Sequence, residues 1–199
     1  MVEAMALDLA YELGQTPLDP DEAAQLVPRH ITNQGALNEW EQANIVRAAQ
    51  WLRRQRSPEV LSDHFCRALH KEMFGRTWRW AGQYRLSDKN IGCPWAQVPM
   101  RLRQLLDNTA YQLAQGAPSL DEATARFHHQ LVLVHPFPNG NGRHSRLMTD
   151  CLLRMHGAEP FTWGRGSLVA PGDTRCRYIN ALRAGDAGDI QPLLAFVRT

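Results

Sequence analysis

The stretch HPFPNGNGRHSR, residues 135–146, constrains this chain most, because it must end one helix and start another. Upstream, Ser119-Leu120-Asp121-Glu122 has capping-box form, and Ala123, Phe127, Leu131 and Val134 recur at helical spacing. Pro136 and Pro138 forbid the helix from continuing and push their neighbours toward extended geometry. Gly140 and Gly142 let the backbone turn tightly and approach a ligand. Beyond them Leu147, Cys151 and Met155 resume helical spacing from Arg143 to His156. The chain is thereby committed to two helices joined by a tight turn, with His135 at the end of the first.

That arrangement predicts a phosphate-handling site. A helix N-terminus presents unpaired N–H groups and the positive end of the helix dipole, and Arg143 and Arg146 add guanidinium forks suited to phosphate oxygens. An imidazole with an unperturbed pKa near 6.5 can take a proton from a hydroxyl at neutral pH while such a nest stabilises charge on phosphorus. Each residue taken alone also fits an ordinary interhelical loop. A base, two glycines, two asparagines and two spaced arginines within twelve residues fit it poorly. The segment lacks a GK[ST] ending and is not a Walker A loop.

The same segment resembles the Fic (Fic/DOC) family signature HxFx(D/E)GNGRxxR, matching at His135, Phe137, Gly140, Asn141, Gly142, Arg143 and Arg146 and departing at Asn139. LHKEMFGRTWRWAGQYR at 69–85 resembles the family's segment upstream of its flap, and YINALRAGDAGDIQPLLAFV at 178–197 its closing helices. LNEWEQANI, HPFPNGNGRHSRLM and FTWGRGSL bring it nearest to the group termed mobile mystery protein B. The resemblance implies an all-α fold, a Fic-type helical domain over 38–199 with a short β-hairpin flap, preceded by an N-terminal extension over 1–37.

It also implies a protein adenylyltransferase, an AMPylase moving AMP from ATP to a Ser, Thr or Tyr hydroxyl of an intracellular target protein. By that resemblance His135 is the catalytic base, while Asn141 with the backbone of Gly140 and Gly142 holds the α- and β-phosphates. Arg143 adds a phosphate contact, Arg146 holds the γ-phosphate, and Phe137 anchors the loop. The family's acidic residue before the first glycine binds Mg²⁺, a hard cation that favours carboxylates. Asn139 offers a neutral carbonyl there, so metal binding is expected to be weaker. Lys89, Asn90 and Ile91 fall at the tip of the flap, where an extended target would add as a strand.

Fic proteins are often restrained by a glutamate in a (S/T)xxxE(G/N) helix. LNEWEQAN puts Glu41 at that position, with Leu37 and Gln42 replacing the expected small residues. Two readings stand: Glu41 pairs with Arg146 and blocks ATP, or it is a solvated charge on an amphipathic helix. The resemblance is compatible with a toxin role, with restraint internal or supplied by a separate antitoxin or regulator. The competing functions are a non-transferring nucleotide-binding or interaction module, and a de-AMPylase or phosphotransferase variant. A base at 135 disfavours the binding module, which would need only the arginines and the nest.

At 199 residues the chain suits one sizeable core. A net charge of +2 is too small to argue for nucleic acid or anionic membrane, and arginines at RLRQ and TRCRYINALR read as solvated helix faces. The N-terminus shows no leader pattern and no apolar run approaches a membrane span, so a cytoplasmic location is expected. Cys66, Cys93, Cys151 and Cys176 lack metal spacing and read as reduced, mostly buried thiols. His128, His129, His135 and His144 lie close in sequence, but without HExxH or CxxC they do not argue for zinc, and His128 and His129 must face different sides of a helix.

Further helices are expected at 43–55, 99–115, 173–184 and 189–197, with Asp189 as a cap. Ser57-Pro58 reads as the start of a helix whose apolar stripe is Val60, Leu61, Phe65, Leu69 and Met73 and whose end is Gly75. After Trp80-Ala81-Gly82, the residues QYRLSDKNIGCPWAQVP lose helical periodicity and carry turn formers. They form either a hairpin or a plain helix connection.

Overall fold

Helix ends set by local chemistry define the architecture. The computed structural model describes residues 15–199 except 57, 117 and 169–171. Among them run α1 (Pro20–Ala23), α2 (Gln34–Arg54), α3 (Asp63–Phe74), α4 (Val98–Gln115), α5 (Leu120–Val134), α6 (Asn141–Met155), α7 (Asp173–Asp186) and α8 (Gln191–Val197). The all-α expectation holds. Leu26 and Trp78 form an isolated bridge, and residues 83–94 form bends and irregular chain and not the expected hairpin. The physical reason is that this segment's polar groups bond to other parts of the chain, as described below, and not across a ladder.

Several helix starts differ from expectation in instructive ways. α3 begins at Asp63 because the Ser62 hydroxyl accepts from the Phe65 N–H, five residues after the Ser57-Pro58 start. Pro58 and Val60 are not helical, and Ser57 lies outside the described residues. The stripe itself packs inward, with Val60, Phe65, Leu69 and Met73 buried and Leu61 half-buried against the same cluster. At α5 only half of the capping box forms: Ser119 accepts from the Glu122 N–H, while the Glu122 carboxylate turns to Arg126. α2 starts at Gln34, nine residues earlier than its apolar spacing suggests, capped by the Asn33 side chain. Asp189 accepts from the Gln191 N–H at the head of α8.

Two apolar clusters share α5 and α6. The larger is built from α2, α3, α4 and the inner faces of α5 and α6, with Trp78, Phe74, Leu102 and Phe137 at its centre. The smaller joins Ala125 of α5 and Leu153 of α6 to Tyr178, Ile190, Leu193 and Phe196 of the last two helices. α5 and α6 pack on each other and are held from both sides. Residues near the amino end join the same body, since Ile31 is buried in the larger cluster and Leu18 and Leu26 pack against it. Of the thiols, Cys66 and Cys151 are buried, Cys93 is half-buried and Cys176 is exposed, so only two meet the expectation of burial. All four are free. No helix among the described residues is long and apolar enough to cross a membrane.

Candidate active site

The site lies where α5 ends and α6 begins. His135 caps α5 in the left-handed region, with φ 51° and ψ 60°, a conformation rarely adopted by a residue with a Cβ. It is held there from outside. Arg85, fully buried, donates from Nε to the His135 carbonyl at 2.7 Å, from Nη1 to the Ser87 carbonyl at 2.8 Å, and from Nη2 to the Cys93 carbonyl. The Arg85 N–H also donates to the Pro136 carbonyl. One guanidinium thus ties the 83–94 segment to the turn that carries His135. Gly92 closes the clamp, because a Cβ there would sit 2.8 Å from the His135 Cβ.

The turn itself is latched by Asn141 and His70. The Asn141 side chain accepts from the Phe137 N–H and donates to the Phe137 carbonyl, at 2.9 and 2.7 Å. Its amide therefore shapes the turn, and what it offers an anion is its backbone at the start of α6. Phe137 is buried and stacks on the His70 ring, centroids 3.7 Å apart, which makes it the anchor expected. His70 Nδ1 accepts from the Gly82 N–H, so Nε2 carries the proton and donates to the Asn139 carbonyl at 3.0 Å. Gly140 is required by both space and angle: its φ is 78°, and a Cβ would meet the Phe74 ring at 2.6 Å. α6 has no side-chain cap at this end, so Gly140, Asn141, Gly142 and Arg143 present its start to the cavity.

That cavity is about 310 Å³. His135 is 4% exposed, and burial, with the positive charges of Arg85 and Lys89 adding to it, lowers its pKa to about 3. The imidazole is neutral at physiological pH. Its Nε2 lies 3.0 Å from the Thr16 hydroxyl. No partner meets hydrogen-bond geometry at Nδ1, although the Val132 carbonyl is near enough to oppose the shift. Arg146 lies over the Tyr178 ring at 5.7 Å, and burial lowers its pKa from the usual arginine value. Arg143 lies over Phe74 at 4.8 Å.

Glu41 is buried, which removes the reading of a solvated charge. Its Oε2 accepts from Arg143 Nη1 at 2.6 Å and its Oε1 from the Trp78 indole at 2.7 Å. The partner is therefore Arg143 and not Arg146 as expected. Trp78 fixes one carboxylate oxygen and leaves the other aimed at the first arginine of α6, while Arg146 is one turn further on, against α7.

The flap residues also behave differently from expectation. Lys89 is not a free tip: its side chain is 3% exposed and bonds Asp19 at 2.8 Å and Glu22 at 2.6 Å. Asn90 donates to the Gln15 carbonyl at 2.9 Å, and Ile91 is exposed at the cavity edge. Lys89 and Asn90 are thus occupied by the amino-terminal segment of the chain itself. Asn139 is occupied too: its Nδ2 donates to the Thr16 carbonyl at 2.8 Å and its Oδ1 accepts from the Gly140 N–H at 2.6 Å. This donor set does not fit a protein-held Mg²⁺, since the one side-chain oxygen is neutral and already engaged. No group of three metal-binding side chains occurs among the described residues.

Thr16, Arg85 and Tyr178 escaped the sequence reading. Thr-Pro at 16–17 does carry one signal, because a residue before proline is driven to extended geometry. The basic cluster on α7 is less uniformly solvated than expected, since Arg175 and Arg183 line the cavity beside Tyr178, Ile179, Leu182 and Asp186. His129 lines it as well, bonded to Asp186 at 2.9 Å, while His128 faces the other way to the Tyr178 hydroxyl.

Residues 60–153 match the model of the Fic/DOC family. Curated relatives include the protein adenylyltransferase fic-1 of Caenorhabditis briggsae, 33% identical over 59% of this chain and 22% of that protein. The protein adenylyltransferase Fic of Drosophila virilis is 37% identical over 58% and 23%. The chain thus spans less than a quarter of the length of these relatives. Among solved structures, BepC of Bartonella tribocorum with bound AMPPNP has a TM-score of 0.69 at 20% identity, covering 86% of this chain and 89% of that one. Fic-1 from C. elegans has a TM-score of 0.66 at 25% identity, covering 82% and 48%.

Proposed function

We propose that this protein, a member of the Fic/DOC family through residues 60–153, transfers AMP from ATP to a hydroxyl of a protein. The observation that carries this reading is one cavity in which a neutral, buried imidazole faces a hydroxyl at 3.0 Å beside the uncapped start of α6 and two guanidiniums. The adenylyltransferase names of the relatives and the AMPPNP bound to BepC support the choice of nucleotide.

In this reading the triphosphate lies along the start of α6, with Arg143 and Arg146 on its oxygens and the base of the nucleotide toward Tyr178, Ile179 and Leu182 of α7. His135 Nε2 takes the acceptor's proton as its oxygen attacks the α-phosphorus. The bond to the bridging oxygen breaks and pyrophosphate leaves, its charge held by the backbone nest and the arginines. Arg143 can serve only after Glu41 releases it, so the Glu41 pair is an internal restraint and the reading requires no separate antitoxin. Free thiols at all four cysteines fit an intracellular, cytoplasmic target. A non-transferring module would have no use for an imidazole nitrogen aimed at a hydroxyl.

The test is labelling of protein and of a cell lysate with ATP carrying label on the α- or the γ-phosphate. Transfer of α-label is expected, falling roughly 10²- to 10⁴-fold in His135→Ala and rising in Glu41→Gly. Covalent γ-label would favour phosphoryl transfer instead. Nucleotide binding with no covalent label anywhere would sink the proposal.

A further inference from the structure

The acceptor groove is filled by the chain's own residues 15–22. Asn90 grips the Gln15 carbonyl, Asn139 grips the Thr16 carbonyl, and Ser87 and Lys89 hold Asp19, with Lys89 also on Glu22. These grips come from the segment expected to dock a target and from the catalytic turn. Pro17 keeps Thr16 extended, as a docked acceptor peptide must be. The register places a hydroxyl, and not merely a backbone, on the base: Thr16 is buried with its Oγ1 3.0 Å from His135 Nε2. In the tautomer that carries its proton on Nδ1, on the side of the Val132 carbonyl, the hydroxyl donates to Nε2, the direction in which proton transfer would run. Gln15 and Thr16 line the same cavity as the start of α6, so a nucleotide there would lie beside this oxygen.

We infer that Thr16 is an intramolecular acceptor, modified by the enzyme on its own chain. The inference rests on the adenylyltransferase reading above. Thr16 Oγ1 bonds to the α-phosphorus of ATP, its proton passes to His135 Nε2, and the α-phosphorus to bridging-oxygen bond breaks with its electron pair leaving on pyrophosphate. The product carries a bulky anionic ester where the hydroxyl fitted, so it cannot return to the same seat against His135. Modification therefore vacates the groove for other acceptors.

The experiment uses the full chain and its Glu41→Gly variant with α-labelled ATP, peptide mapping by mass spectrometry, and a lysate assay in parallel. One AMP is expected on Thr16, at a first-order rate independent of protein concentration. Thr16→Ser retains that label; Thr16→Val loses it and still labels lysate proteins. Self-label elsewhere with Thr16 untouched overturns the inference, as does a rate that grows with protein concentration. Lysate label without self-label at Thr16 overturns it while leaving the adenylyltransferase reading intact. Absence of label in both assays ends both.

Discussion

The two walls of the cleft are built by different means. The wall that carries His135 and the start of α6 comes from one stretch, residues 135–146, latched within itself by Asn141 on Phe137 and from outside by Arg85 and His70. The facing wall is assembled from residues far apart in sequence: Thr16 meets His135 across 119 positions, and Lys89 meets Asp19 across 70. The first is buried and packed between two apolar clusters, whereas the second is a strip held by polar side chains at the surface. A cleft with one rigid and one peelable wall can keep its chemistry fixed while its acceptor side changes occupant.

Acid should break the first wall before the second. Burial lowers the pKa values of His128 and His135 to about 3 and of His144 to about 4, and drives that of His70 well below 6.5. In the unfolded chain each titrates near 6.5, so their contribution is complete above that pH and is lost as the pH falls toward the folded values. Each costs about 1.4 kcal/mol per pH unit in that window. Asp150, raised to about 6 by burial, works in the opposite sense between about 6 and 3.8. The net expectation is a loss of roughly 3–4 kcal/mol per unit between pH 6 and 5, read as a falling urea midpoint. Asp19, whose pKa Lys89 and Ser87 hold below 3.8, keeps its charge throughout that range. A midpoint flat from pH 7 to 5 would show that these imidazoles are not buried neutral.

Arg85 joins the two walls, and its removal tests whether they are separable. Arg85→Ala leaves the buried His135 carbonyl and the part-buried Ser87 and Cys93 carbonyls without their charged donor and is expected to cost about 3–5 kcal/mol, with loss of transfer activity. Denaturant unfolding measures the first and α-label the second. A variant of unchanged stability would mean the turn holds His135 in its left-handed conformation unaided.

The smallest effect belongs to the strap. Lys89→Met removes two ion pairs from a half-covered strip and is expected to cost about 1–2 kcal/mol while exposing residues 15–22 to limited proteolysis. Labelling of lysate proteins should not fall. If it does, Lys89 serves acceptors other than the chain's own segment.

Much of the site is readable along the chain because its determinants are local. Prolines at 136 and 138 end α5 just after His135, and the glycines and arginines follow by Arg146. Glu41 could be picked out as a partner for an arginine of α6, but not which arginine. Arg143 and Arg146 lie one helical turn apart, and the choice between them was made by Trp78, whose indole orients the carboxylate, and by Tyr178, which occupies Arg146. Lys89 and Asn90 could be placed in a segment of turns, but a hairpin there would have needed cross-strand partners, and their polar groups found residues 15–22 instead.

The sequence by itself determined the end of α5, the start of α6 and the gathering of an imidazole, two glycines and two arginines between and just beyond them, because proline, glycine and apolar spacing act over a few residues. Tertiary structure decided the pairing of Glu41 with Arg143, the hold of Arg85 on the His135 carbonyl and the seat of Thr16 on His135. Those contacts join positions 50 to 119 apart, and only the packing of helices around a common core brings such positions within hydrogen-bonding distance.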